Sequence, residues 1–334
     1  MVTIYDIARK CNCSYTTVSK VFNNTGAISE KKKKEIFAAA KELGYVPNST
    51  ARSLATKKSN IIGVILHNFE DRGITHELFS RILNSFRIEA EKNGYDILLI
   101  SQNHDSYLTS CKSRAIDGVF VMCCDYSLEK SREIISGEIP FVCFDNNDVP
   151  NSVQSDNKEA VASMVDYLVS KGHRKIVYIN PDDGAPVTRS RYEGYLLGLE
   201  RNNISFDENL VIRGSYFREE FSNKVVEQLI KSGMDFTAIM FPDDYSAIGA
   251  AKYLKQYQKE KGIKISYTGF DGVEVTEILS SSVTTIKQNT KMIGETAAKI
   301  LLNEIKGKKT KKPTFIPTTI NEGETVIDIK GGRK

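Results

Sequence analysis

Six polar residues stand where a chain of alternating strands and helices would place a binding site. Asp145, Asp243, Asp244 and Asp271 follow apolar runs, Arg191 opens a helical stretch, and Gln288 closes the phrase Thr284-Thr285-Ile286-x-Gln288. Carboxylates and a guanidinium can grip neighbouring hydroxyls, each of which donates and accepts, so the set suits a polyol. Phe69 and Tyr216 are candidate stacking platforms for such a ligand, and the chain has no Trp. Each polar group also has a plainer use. Asp145 and Asp244 could cap helices after strands, and Arg191 could sit in a structural salt bridge. Paired acids also raise the possibility of sugar hydrolysis. Asp243 and Asp244 are adjacent after a strand, however, so their side chains diverge, and no nucleophile–base motif or phosphate-binding glycine loop accompanies them. No enzyme activity, cofactor or metal is expected.

A second constellation lies at the start of the chain. Residues 1–60 hold eleven Lys and Arg against four acids, whereas the remainder holds 35 against 38, so all the excess behind the net charge of +4 lies in the first sixth. A polyanion-binding head on a mildly acidic body is the simplest explanation. Within it, Ser14 can cap a helix running to about Phe22, whose first turn presents Tyr15, Thr16 and Thr17, with Lys20 one turn later on the same exposed face.

The elements that would hold these groups follow from capping and periodicity. Thr3 with Asp6 resembles a capping box and opens a first helix with Ile4, Ile7 and Ala8 inward. Asn12 tolerates the left-handed backbone of a turn. Ser29 caps a third helix that buries Ile36, Phe37, Ala40 and Leu43 and stops at Gly44. After Pro47, Asn48 can cap a short fourth segment to Thr56. From Ile61 the pattern alternates. Strands are expected at Ile61–Leu66, Asp96–Ser101, Gly118–Cys123, Pro140–Asp145, Lys175–Asn180, Ala238–Phe241 and Ser266–Phe270. Helices are expected at Phe79–Asn93, Lys158–Lys171, Arg191–Asn202, Phe221–Ser232, Tyr245–Lys259 and Thr290–Ile305, with a last strand near Thr314–Asn321. Near-continuous apolar strands between amphipathic helices mean parallel sheets covered on both faces, here in two doubly wound lobes.

The head carries Thr3-Ile4-x-Asp6-Ile7-Ala8, Ser14-x-x-Thr17-Val18-Ser19-Lys20-Val21-x-Asn23, Ile28-Ser29-x-x-Lys32, Leu43-Gly44-Tyr45-x-Pro47-Asn48 and Ala51-Arg52-Ser53-Leu54. In these phrases the chain resembles the lactose/galactose repressor family. Ser155-Asp156-Asn157, Gly172-His173-x-x-Ile176, Arg191-x-x-Gly194-Tyr195, Asp243-Asp244-x-x-Ala247-x-Gly249 and Gly269-Phe270-Asp271 extend the likeness through the body. It departs at Asn321-Glu322-Gly323-Glu324, where the family usually has Arg, and Asp243 stands where Asn is common.

The resemblance implies an all-α helix-turn-helix head (1–47), a hinge helix and linker (48–60), and an α/β effector-binding body (61–330) with the fold of periplasmic sugar-binding proteins. Its N-lobe would comprise about 61–157 and 290–316, and its C-lobe about 158–286 and 317–330. It implies that Tyr15, Thr16 and Lys20 read bases in the major groove. Lys20 would do so without the bidentate fork of the family's frequent Arg. Thr3, Ser14, Thr17, Ser19, Asn23, Ser29 and Asn48 would meet the DNA backbone. Leu54, beside Ala51 and Arg52, would wedge into the minor groove. Arg191 and Asp271 match the ligand positions best. The implied activity is that of a transcriptional repressor, reading a pseudo-palindromic DNA operator as a homodimer under the allosteric control of a small molecule, a sugar.

Other features narrow the class. Cys11 and Cys13 lack the C-x-x-C spacing and His partners of a zinc site, so the six cysteines read as reduced, small apolar side chains. Apolar runs fall far short of the roughly 20 residues of a membrane helix. The start has no apolar signal core, so a cytoplasmic location is expected. That, with the basic head, argues against a sugar-binding protein without a DNA role.

Overall fold

Three short helices open the chain, each placed by its cap. The computed structural model describes residues 2–23, 25–46, 58–66, 73–101, 105–124, 128–278 and 282–330. Helix α1 (Ile4–Lys10) follows Thr3, whose N–H and hydroxyl both donate to the Asp6 carboxylate, at 2.9 and 2.8 Å. Helix α2 (Tyr15–Phe22) begins where Ser14 Oγ accepts the Thr17 N–H at 3.1 Å. Helix α3 (Glu30–Leu43) follows Ser29 and stops at Gly44, whose φ of 67° is the left-handed conformation glycine adopts without strain. Asn12, between α1 and α2, has φ 43°. Ile7, Val18 and Ile36, one from each helix, are fully buried at the centre. Phe37 corrects the expected inward face: it is 49% exposed and edge-on to Phe22, while Ala39 is buried instead.

Among the described residues, the body holds two six-stranded sheets. In the first, the order is β11-β5-β4-β3-β1-β2, from Thr314–Ile316, Ser152–Ser155, Phe141–Phe144, Gly118–Cys123, Ile61–Leu66 and Asp96–Leu99, and every pair is parallel. In the second, the order is β12-β10-β9-β8-β6-β7, from Thr319–Asn321, Thr284–Lys287, Ser266–Asp271, Ala238–Met240, Ile176–Pro181 and Val211–Gly214. Only β10 and β12 pair antiparallel. Three of these strands, β5, β7 and β10, escaped the sequence reading. The expected last strand is in fact two, one in each lobe. Pro317 separates them, and a residue without an N–H cannot continue a ladder.

Helix α4 (Glu77–Lys92) packs on α12 (Thr290–Ile305) over the first sheet, and α7 (Asn157–Ser170) on α8 (Pro186–Arg201) over the second. Both pairs meet at a glycine. A Cβ on Gly294 would lie 2.4 Å from the Ile82 carbonyl oxygen, and one on Gly194 would lie 2.4 Å from that of Lys158. Helix α8 starts five residues before Arg191, with Pro186 in its first turn, so Arg191 lies inside the helix and not at its start. The chain crosses between lobes after β5, after β10 and between β11 and β12.

Candidate functional site

On the head, Tyr15, Thr16 and Lys20 are exposed along α2. Ser14 Oγ lies 2.7 Å from Thr16 Oγ1 and 2.9 Å from Thr17 Oγ1, and Asn23 Nδ2 donates to Ser19 Oγ at 3.2 Å. Thr3 and Ser29 are exposed, whereas Thr17, Ser19 and Asn23 are half-buried. Tyr5, which the sequence reading left aside, is also exposed, and its ring centroid lies 5.1 Å from that of Tyr15. Two aromatic rings thus flank the polar face. Asn48, Ala51, Arg52 and Leu54 lie outside the described residues, as does Phe69.

In the body, the strand ends of the two lobes face one another across a cavity of about 250 Å³. Phe79, Phe144 and Asp145 line it from the first lobe, Arg191, Tyr216 and Asp271 from the second. This is where open α/β sheets bind ligands, outside the carboxyl ends of their strands. Arg191 is held from several sides. Its Nε donates to Asn157 Oδ1 at 2.9 Å, its Nη1 donates to the Pro242 carbonyl at 2.9 Å, and the guanidinium lies 3.6 Å above the Phe270 ring. A stacked guanidinium with fixed donors keeps its orientation.

The carboxylates beside it are desolvated. Burial pushes Asp145 up to about 6 against the opposing pull of Arg191. Asp271 is raised well above the ordinary range by burial, with Arg191 pulling down and Asp244 and Asp243 pushing up. Asp271 Oδ1 accepts from Gln288 Nε2 at 2.8 Å, while Oδ2 is buried without a hydrogen-bond partner among the described residues. Such an atom is costly to bury unless something supplies a donor. Three cavity residues hold positive φ, Asp145 at 55°, Phe217 at 60° and Asp271 at 116°. Backbone strain of this kind costs about 1–3 kcal/mol each and gathers at ligand sites.

Three sequence candidates are not brought to the cavity. Asp243 is the N-cap of α10 (Asp244–Lys261) and spends its carboxylate on the N–H groups of Ser246 and Phe217, both at 2.9 Å. Asp244 accepts from the Gly272 and Val273 N–H groups at 2.8 and 2.9 Å and from the Thr285 hydroxyl, fixing the turn that presents Asp271. Both are fully buried, and burial raises both above the usual carboxylate range. Gln288 lies behind Asp271 and joins it to Ser155, whose hydroxyl donates to Oε1 at 2.6 Å. Sequence reasoning also missed Asn157, which orients Arg191, and Phe217, Phe79 and Phe144 of the wall. Asn157 carried a signal in the phrase Ser155-Asp156-Asn157; the aromatic residues carried none apart from ordinary core residues.

Comparison with known proteins bears on the family and the fold. Residues 3–48 match the profile of bacterial regulatory proteins of the lacI family, and 165–326 that of a periplasmic binding protein-like domain. An HTH-type transcriptional repressor PurR of Vibrio atlanticus (strain LGP32) is 31% identical over 333 residues, covering 94% of this chain and 95% of that protein. The ribose operon repressor of Halalkalibacterium halodurans is 28% identical, covering 99% and 98%. Among solved structures, the lac repressor dimer bound to operator and the anti-inducer ONPF superposes with a TM-score of 0.81 at 25% identity, over 98% of this chain and 99% of that one. The CelR–cellobiose complex shares the fold at TM-score 0.72 and 20% identity, over 97% and 100%. These relatives are named as regulators, and the adjacent acids of the hydrolase alternative, Asp243 and Asp244, are committed to capping and turn formation. The chain belongs to the lacI family of bacterial regulatory proteins and is a DNA-binding transcriptional regulator, not an enzyme.

Proposed function

We propose that this regulator is a repressor that binds a pseudo-palindromic operator as a homodimer and releases or tightens on it when one sugar ring enters the cavity between its lobes. The observation that carries the effector half is the buried Asp271 Oδ2 without a donor among the described residues, in a cavity that a locked Arg191 and Asp145 also line. A ring hydroxyl can donate to the carboxylates and accept from Arg191 at once. A volume of about 250 Å³ lies below the roughly 300–1,000 Å³ of drug-sized pockets, which favours a single ring over a chain of rings. Among the relatives, one is named a ribose operon repressor and one solved neighbour holds cellobiose.

For DNA, the exposed Tyr15, Thr16 and Lys20 are the proposed base readers. Thr3, Ser14, Thr17, Ser19, Asn23, Ser29 and Asn48 are the proposed backbone contacts, and Ala51, Arg52 and Leu54 the proposed minor-groove group. One head covers a half-site, so two copies related by a two-fold axis cover the whole. The location follows from the ligand: a regulator of bacterial DNA works in the cytoplasm, and no helix among the described residues is long and apolar enough to cross a membrane. An inverted-repeat operator selected from a random duplex library, titrated with purified protein in the presence of a mono- and disaccharide panel and of purines, tests the whole. Preference for the repeat over a scrambled duplex, changed by a monosaccharide, is the expected result. No such preference removes the operator reading, and a response to a purine alone removes the sugar.

A further inference from the structure

Every strand of the first sheet is parallel, so the starts of its strands share one end. Two segments enter that end. One is the linker from the head, running into β1 at Ile61. The other is 306–313, running from the end of α12 into β11. The second carries Lys306, Lys308, Lys309, Lys311 and Lys312, all exposed. The loop is pinned in place. The buried Glu304 accepts the Thr310 N–H at 2.6 Å and pairs with Lys309 at 3.1 Å, and the Lys308 N–H donates to the Asn303 carbonyl at 2.9 Å. With Lys309 committed, the other four lysines have no carboxylate in ion-pair range among the described residues.

Two acids near this end are engaged elsewhere. Asp117 accepts from the Ser59 and Asn60 N–H groups, and Glu138 pairs with Lys112; Asp96, at the far edge strand, stays exposed. Lys306 lies close enough to the negative end of α12 to be explained by the helix dipole. That effect fades within the last turn, so it does not account for Lys308, Lys311 and Lys312. A body that is net acidic outside its head therefore concentrates fixed positive charge on the side where the head is attached.

We propose that the 306–312 loop is a second DNA-contacting surface, which docks without sequence preference on phosphates flanking the bases read by the heads. It rests on DNA binding by the head and adds a contact made by the body. From β1 to β11 is four strand spacings, about 19 Å at 4.8 Å each, or roughly six base pairs at 3.4 Å of rise per base along a strand. Four lysines meeting four phosphates would steepen the dependence of log K on log salt by about 3.6 for each subunit, or about 7 for a dimer on a duplex flanked on both sides.

The test measures affinity across a salt series by fluorescence anisotropy. It uses the full chain and two duplexes, one ending at the inverted repeat and one carrying flanks on both sides. Wild type is expected to bind the flanked duplex more tightly and with the steeper slope. A variant with Lys306, Lys308, Lys311 and Lys312 all changed to Ala should match wild type on the short duplex and lose most of the extra slope on the long one. Changing the same four to Arg should keep it. Equal slopes for wild type and the Ala variant on both duplexes overturn the proposal. So does a variant whose only defect is lost binding of polyglutamate, which would assign the surface to an acidic protein. Failure of wild type on the short duplex removes the head's role and this proposal with it, whereas loss of the flank effect alone removes only the loop.

Discussion

At the scale of single residues, the cavity is an electrostatic device built around one cation. Arg191 is 5% exposed and already has a carbonyl, an amide oxygen and an aromatic face in place. Its orientation is therefore settled before a ligand arrives, which keeps the ordering cost out of binding. Arg191→Ala should abolish the effector response while leaving operator affinity in the absence of effector unchanged, because its partners among the described residues all belong to the body. A retained response in a titration of operator binding would remove Arg191 from the site. Asp145 makes the site sensitive to pH. Its folded-state value of about 6 is raised above the ordinary 3.8, so the folded protein holds this proton more tightly than the unfolded chain does. Stability from this group is greatest at low pH and falls as pH rises through the window between about 4 and 6. A ligand hydroxyl donates to the ionised form, so affinity moves the other way. Below pH 6 each further unit of acidification should weaken binding by up to about tenfold, and calorimetry at pH 5 and 7.5 reads it. Asp145→Asn should flatten that dependence; a slope that survives the change would place the titrating group elsewhere.

At the scale of elements, helix packing holds the site in register. Arg191 stands one turn before Gly194 on α8, and Asn157 starts α7, the helix against which Gly194 packs. Gly194→Ala would drive a methyl to 2.4 Å from the Lys158 carbonyl and 2.9 Å from Val161 Cβ. Backbone cannot yield as a flexible side chain would, so the helices must part. Overpacking of this kind costs about 1–3 kcal/mol, and the separation should also weaken the Arg191–Asn157 bond. A lower melting temperature together with a right-shifted effector response is expected; an unchanged melt would mean that the helix pair has slack. The same elements show why the sequence was legible in part. Long runs with one strong period, such as Ile61–Leu66 and Thr290–Ile305, were read with their bounds, because burial on both faces or along one stripe leaves a plain pattern. The four-residue strand Val211–Gly214 has no room for a pattern, and the break at Pro317 depends on which sheet each half joins. Asp243 and Asp244 had the right residue type after the right strand, but which lone pairs remain for a ligand depends on loops far away in sequence, such as the one bearing Phe217. Arg191 was found from its phrase although its helix was started too late.

At the scale of the whole molecule, the question is how a ligand between the lobes can be felt by the head. A ligand shifts an equilibrium only through differential affinity for its two states, so something must connect the cavity to the parts that move. The crossings between lobes are those parts, and one hydrogen-bonded chain links two of them to the site. Ser155 ends β5 at the first crossing and donates to Gln288, which follows β10 at the second. Gln288 in turn donates to Asp271, whose other oxygen faces the need for a donor. Ser155 does not line the cavity; its carbonyl also accepts from Asn157 Nδ2 at 3.1 Å, a bond that Ser155→Ala leaves in place, so the effect of losing the hydroxyl should pass through Gln288. Ser155→Ala and Gln288→Ala should each blunt the effector-induced change in operator Kd. Combined, they should do little more than Gln288→Ala alone, with a coupling of about 0.5–3 kcal/mol in a double-mutant cycle. The exposed pair Arg189–Asp148, which also spans the lobes at 2.8 Å, serves as the control. Asp148→Ala should change the response by no more than the 0–1 kcal/mol typical of surface ion pairs. Additive effects of Ser155→Ala and Gln288→Ala would mean that the chain is only packing, and that the lobes transmit binding through their apolar faces instead.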